Sequence, residues 1–279
     1  MTNPMVSVWM MTYNQVSYIA EAMEGVLMQK TTFPVRLVIG EDGSTDGTRA
    51  IIEDYCTRYP GRILLLPDEG NLGMMPNMAR TMNACRGARY VAMCEGDDYW
   101  IDEYKLQKQV DFMEAHPDCA MCFHAVEHRF ADPRRNFVQH DFDGDTWVGL
   151  KEVVVRGGTF ISMPSILFRG VDADLPDWHA NCLVGDYPLT IHLALRGRSR
   201  YMDDPMAVYR RGAIGSWTQG WTWKKQRNLI FSYNKMFVAI NRQTRGRHLG
   251  LIAKVLFDTN WGLLKAAVYA TVAQRKQRV

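Results

Sequence analysis

The chain has 279 residues, 47% of them hydrophobic and 23% charged, which excludes a disordered polymer and supplies core for one large domain or two small ones. Its formal net charge of +3 is unevenly spread: from position 210 onward 14 Lys/Arg face one acid, Asp258, whereas the first 209 residues hold 19 bases and 29 acids. No run approaches the roughly 18 apolar residues of a bilayer-spanning helix, and the first 15 residues show neither a basic start nor a small-residue cleavage site, so a cytoplasmic location is expected.

Residues 5–11 are apolar and rich in β-formers, predicting a strand that leaves the core at Thr12-Tyr13-Asn14. Ser17 stands where a helix cap would, and Ile19, Met23, Val26 and Leu27 follow at helical spacing. The unit recurs: residues 35–40 as strand, Asp46 capping a helix with Ile51, Ile52 and Tyr55, residues 62–66 as strand, 74–85 as helix, and 90–94 as strand running into Glu95-Gly96-Asp97-Asp98. Such alternation implies a mainly parallel sheet covered on both faces. Beyond it, 105–115 reads as helix, 119–128 and 159–168 as strands, 186–195 as helix and 201–209 as extended chain. A glycine-containing loop at 212–220, with tryptophans at 217, 221 and 223, precedes helical periodicity at 224–240 and 249–273; the latter aligns Leu251, Ile252, Val255, Leu256, Leu263 and Leu264.

In open parallel sheets ligands sit outside the carboxyl ends of the strands. Three polar clusters fall there: Thr12-Tyr13-Asn14, the stretch from Glu41 to Asp46, and Glu95-Gly96-Asp97-Asp98. Three carboxylates in four residues repel one another unless a cation lies among them, and oxygen ligands suit Mg²⁺ or Mn²⁺. Capping of the next helix would use only one of them. The six cysteines are scattered, which favours reduced thiols. Cys119 and Cys122, near His124 and His128, are not read as a zinc site, because strand alternation sends 119 and 122 to opposite faces. No glycine-rich phosphate loop of the ATP or nicotinamide type occurs at a strand end.

The residues Val6-Ser7-Val8, Thr12-Tyr13-Asn14, the run from Val38 to Thr48, Asn71-Leu72-Gly73 and Glu95-Gly96-Asp97-Asp98-Tyr99-Trp100 resemble the family 2 inverting glycosyltransferases with the GT-A fold. The resemblance covers roughly the first 120 residues; Glu95 stands where the family's acidic signature usually begins with Asp. It implies an α/β fold with a Rossmann-like, mainly parallel central sheet, helices on both faces and a C-terminal helical tail. Residues 1–210 would form the catalytic domain (1–100 the nucleotide-sugar half, 101–210 the acceptor half), and 211–279 a lid loop with a basic helical extension. The resemblance places Thr12, Tyr13, Asn14, Asp42, Glu95, Gly96 and Asp97 at a UDP- or dTDP-sugar donor, with Tyr13 stacked on the base and Asp42 accepting from its ring N–H. Arg80, on the following helix, could reach the same pocket. Asp97 and Asp98 would hold Mn²⁺ or Mg²⁺. An inverting transfer needs a base for the acceptor proton, and Asp186, in Gly185-Asp186-Tyr187-Pro188, is the candidate; helix capping is its alternative role.

The expected acceptor is a saccharide or lipid-linked glycan in cell-surface glycan assembly. A sugar-1-phosphate nucleotidyltransferase would want a basic glycine-rich loop after the first strand, where Thr12-Tyr13-Asn14-Gln15 stands instead. A nucleic-acid-binding module on the basic tail is opposed by the acidic pocket, so no nucleic-acid partner is expected. The tail's apolar stripe and its flanking charges fit peripheral contact with an anionic membrane at the inner face of the cytoplasmic membrane; alternatively the stripe packs on the catalytic domain or on a second copy in a homo-oligomer.

Overall fold

The structure, a computed structural model, describes residues 4–213 and 222–276. The expected loop at 212–220 and its Trp217 and Trp221 therefore lie largely outside the described residues. The chain forms two compact units, Met1–Pro176 with Gly185–Gln219, and Asp177–Val184 with Gly220–Val279.

The first unit opens with β1 (Val6–Thr12), α1 (Ile19–Leu27), β2 (Val35–Glu41), α2 (Thr48–Arg58), β3 (Ile63–Leu65), α3 (Met74–Ala84) and β4 (Tyr90–Met93). It continues through β5 (Tyr99–Trp100), α4 (Lys105–Ala115), β6 (Cys119–Phe130), β7 (Phe137–Gln139), β8 (Thr146–Val148), α5 (Leu150–Arg156) and β9 (Leu167–Arg169). After α6 (Asp177–Ala180), which belongs to the second unit, come α7 (Asp186–Ala194) and β10 (Arg198–Arg211). The strands make one sheet in the order β3-β2-β1-β4-β9-β6-β10-β5, with β7 beside β6 and β8 beside β10. β1 runs parallel to β2 and β4, and β2 to β3. Their carboxyl ends thus share one edge, where the three polar clusters lie.

Strand alternation sorts the two faces. Val6, Val8, Met10, Leu37, Ile39, Tyr90 and Ala92 join Ile19 and Met23 of α1, Ile52 of α2 and Leu106 and Val110 of α4 in one buried core. Residues of opposite parity meet α3: the Trp9 indole N–H donates to the Met78 carbonyl (3.3 Å), and the Asn77 amide donates to the Gly40 carbonyl (2.8 Å). The expected two-sided sheet is present.

Three local expectations are corrected. Ser17 does not cap α1; the Gln15 carbonyl accepts from Tyr18 and Ile19 N–H instead. Of the expected strand at 159–168 only the end pairs, in β9, because Pro164 removes a donor and the chain turns through a short 3₁₀ helix at Met163–Ser165. Cys119 and Cys122 share one side of the sheet: Cys119 pairs with Arg198 but Met121 with Ser199, and this bulge shifts the alternation by one.

In the second unit, α8 (Trp223–Gln243) and α9 (Leu249–Lys276) pack together, burying Ile230, Met236, Phe237, Ile240 and Ile252, while Asn234 and Asn260 exchange amide hydrogen bonds of 2.9 and 3.1 Å. Trp178 of α6 donates to Gln243 (2.7 Å) and the Leu183 N–H to the Ser232 hydroxyl (3.2 Å). Among the described residues no helix is long and apolar enough to cross a membrane.

Candidate active site

The site grows from the shared strand edge. Asn14 adopts a positive φ of 52°, which Asn tolerates better than most residues. Its N–H then donates to the Ser44 hydroxyl and its side-chain carbonyl accepts from Thr45 N–H, both at 2.9 Å. Asp46 accepts from Val16 N–H (3.0 Å) and from the N–H and hydroxyl of Thr48; burial pushes its pKa up, but these bonds outweigh it and hold the group low. The first two loops are thereby stitched together. Asp42 is buried and accepts from Leu72 N–H (2.9 Å) and Gly73 N–H (3.0 Å), tying in the loop before α3. Arg80 does the same work from α3: its guanidinium donates to the carbonyls of Glu41 (2.7 Å) and Pro67 (2.9 Å) and to Asn77 (2.8 Å). Tyr13, by contrast, is 42% exposed beside them.

The third loop carries the charge. Gly96 presses on β1: a Cβ there would lie 2.5 Å from Gln15 Oε1 and 2.8 Å from Thr12 Oγ1, so any side chain would part the loop from the strand. Thr12 is buried, with its hydroxyl donating to Gln15 (2.7 Å), and Gln15 in turn bonds Asp97. Asp98 is buried; Oδ1 accepts from Arg210 N–H (2.9 Å), while Oδ2 has no hydrogen-bond partner. Asp186 is the first residue of α7 rather than its cap, and its carboxylate accepts from the adjacent Tyr187 N–H (2.7 Å). A Cβ on the preceding Gly185 would fall 2.0 Å from Met78 Sδ, so the start of α7 is seated directly on α3.

Electrostatics joins these groups. Burial, then the charges of Asp97 and Asp186, push Glu95 up to about 8. Burial likewise raises Asp97 and Asp186, and burial followed by Asp97 and Glu95 raises Asp98 far above the carboxylate range. Four carboxylates therefore share a region short of positive charge. Arg210 is the nearby cation: it donates to the Asp97 carbonyl (2.6 Å), pairs with Glu21 and lies over the Tyr18 and Tyr99 rings. Gln15 and Tyr209, whose phenol is raised by burial and by Asp98 and Glu95, were not singled out as binding residues from sequence. Arg210 sits more than a hundred positions from the acids it faces, and only the pairing of β10 with β5 brings it there.

Among the described residues no three His, Cys, Asp or Glu side chains converge to enclose a metal ion by themselves. The donor set nevertheless fits one kind of ion. It is oxygen only, mutually repulsive, and includes the orphaned Asp98 oxygen, which suits a hard divalent cation that takes one or two carboxylates and completes its shell with diphosphate oxygens and water.

A family model, Glycosyl transferase family 2, matches residues 7–164, which include all three strand-end clusters. The chain belongs to that family. The Mycobacterium tuberculosis protein Rv1520 is 36% identical over 221 residues, 77% of this chain and 61% of its own length, so the chain spans less than two thirds of that relative. TuaG of Bacillus subtilis, named for a glycosyltransferase of teichuronic acid biosynthesis, is 29% identical over 250 residues, covering 85% of this chain and 90% of TuaG. The solved structure of S. aureus TarS 1–349 with UDP-GlcNAc superposes with a TM-score of 0.66 at 19% identity, covering 85% of this chain and 66% of that one. The mannosyltransferase PcManGT of Pyrobaculum calidifontis, solved with GDP-Man and Mn²⁺, gives 0.62 at 17% identity over 98% of this chain and 75% of its own. These likenesses establish the GT-A fold.

Proposed function

We propose that the chain is a glycosyltransferase that moves a sugar, with inversion, from a UDP- or dTDP-sugar to a glycan or lipid-linked acceptor of cell-surface glycan assembly, using Mn²⁺ or Mg²⁺. The observation that carries the reading is the gathering of Glu95, Asp97, Asp98 and Asp186, all raised by burial, at the strand edge. Exposed Tyr13 offers a ring face for the base. Each Asp42 oxygen keeps a lone pair beyond its bond to the 71–73 loop and takes the ring N–H of uracil or thymine; cytosine presents an acceptor there and is rejected. Guanine N1–H offers the same donor, so a GDP-sugar is the second reading, and PcManGT binds GDP-Man.

Asp97 and Asp98 would hold the metal, which, when bound, neutralises charge on the departing nucleoside diphosphate. Arg210 fixes Asp97 through its carbonyl and Asp98 through its own N–H, so the acids keep their places despite repulsion. Asp186 takes the acceptor proton. Its burial raises its basicity, as that role requires.

The deciding experiment is a donor-hydrolysis screen across UDP-, dTDP-, GDP- and CDP-sugars, with Mn²⁺ and with EDTA. Metal-dependent release from a UDP- or dTDP-sugar is expected. Turnover confined to CDP-sugars, or undiminished by EDTA, overturns the reading.

A further inference from the structure

The apolar stripe aligned in the sequence at 251–264 is divided in the folded unit. Ile252 is buried and Leu251, Val255 and Leu256 are half-buried in the packing of α9, so most of the stripe is used inside the unit. The opposite face of α9 is apolar as well. Phe257 is 66% exposed, Leu264 53% and Trp261 48%, and they stand at i, i+7 and i+4, on one side of the helix. The Phe257 and Trp261 rings stack, with centroids 6.2 Å apart and planes 7° apart, making a flat aromatic ledge. A surface helix that satisfies its neighbour with one face has no folding reason to carry a second apolar face.

We propose that this outer face of α9 docks on an anionic lipid bilayer. Residues 220–279 contain twelve Lys/Arg and a single acid, Asp258, which is already paired with Lys254 at 2.7 Å. Arg227, Lys235, Arg242 and Lys254 are exposed on the same two helices, with Lys254 one turn before Phe257 on the apolar side. Aromatic and aliphatic side chains enter the headgroup boundary while flanking cations meet the anionic lipids, and Trp is the residue most at home at that depth. The charge also argues against a second copy of this unit as the occupant, since two surfaces of the same sign repel. The proposal uses only the charge and outer face of the second unit and stands apart from the donor reading.

The test is co-sedimentation of the full chain with vesicles of phosphatidylcholine alone or mixed with phosphatidylglycerol, with donor hydrolysis in vesicle-free buffer measured alongside so that either reading can fail alone. The protein is expected to pellet with the anionic vesicles at low salt, to be released by high salt, and to stay in solution with the neutral ones. Phe257→Ser/Leu264→Ser should lower the partition coefficient by about tenfold or more, with helical circular dichroism and hydrolysis unchanged. Lys235→Glu/Lys254→Glu, exposed on the surface, should lower it too and guards against a misfolded first variant. No pelleting at low salt overturns the proposal. So does pelleting that neither variant weakens, or a dimer in sedimentation velocity that Phe257→Ser/Leu264→Ser converts to monomer.

Discussion

In the loop after β2 the carboxylates have donors: Glu41 accepts from Ser44 N–H and Arg49, Asp42 from Leu72 and Gly73, Asp46 from Val16 and Thr48. In the loop after β4, Glu95, Asp97 and Asp98 crowd together with Asp186, and one oxygen of Asp98 is buried without a partner. Both loops leave the same edge of one sheet, and both read as acidic runs in the sequence. The first spends its charge on assembling the protein, whereas the second leaves its carboxylates crowded and one of their oxygens without a donor. A count of acids cannot separate the two roles; the donors around them do.

The largest effect should follow from denying the second loop its cation. Excess EDTA, or Asp97→Asn or Asp98→Asn, is expected to cost roughly 10³-fold in transfer, in line with several kcal/mol of charge stabilisation, and full activity in any of the three would erase the contrast. Asp186→Asn comes next. It should retain donor affinity in calorimetry yet lose transfer by roughly 10² or more, and the product anomer, read by NMR, should be inverted. An unimpaired turnover number would make Asp186 a residue of the helix terminus alone.

The contrast between the loops also marks how far the sequence carries. Hydrophobic periodicity places β1, α1, β2, α2, α3, β4 and α4 within a residue or two, because each buries a stripe or a face whose spacing is written locally. The acidic motif and Asp186 were legible because carboxylates at a strand end or helix start are conspicuous. What stayed hidden was pairing over distance. Arg210 reaches Asp97 only through the β10–β5 pairing, and the fate of Arg80, spent on carbonyls of Glu41 and Pro67, depends on where α3 lies. Likewise the bulge that puts Cys119 and Cys122 on one side leaves no trace in composition.

A smaller effect tests the first loop. Asp42→Ala should weaken UDP or dTDP binding by about 1.5–3 kcal/mol, the worth of a charged hydrogen bond, and should also lower the melting temperature because Leu72 and Gly73 lose their acceptor. A variant that melts earlier but binds donor unchanged would confine Asp42 to scaffolding, like Arg80. A separate effect, read in stability rather than in binding or transfer, concerns a charge that belongs to neither loop. Lys105 is fully buried, donates to Gln109 (2.7 Å) and lies over the Trp100 ring; burial lowers its pKa from 10.5 to about 7. The unfolded chain holds this proton up to the ordinary value, so between pH 7 and 10.5 it binds more protons than the folded one and stability climbs with pH. Below pH 7 the folded protein must bury the charge. Urea titrations of Lys105→Met should show a flatter profile across that window, and an unchanged slope would assign the pH dependence elsewhere.

The left-handed turn at Asn14 has a kinetic meaning. Because it fastens the loop after β1 to the loop after β2 through bonds within the chain itself, the ordering entropy of the proposed nucleotide side is spent during folding rather than at each encounter. A nucleotide meets a template already in shape. Its capture should therefore follow simple one-step kinetics, with observed rates rising linearly with nucleotide concentration.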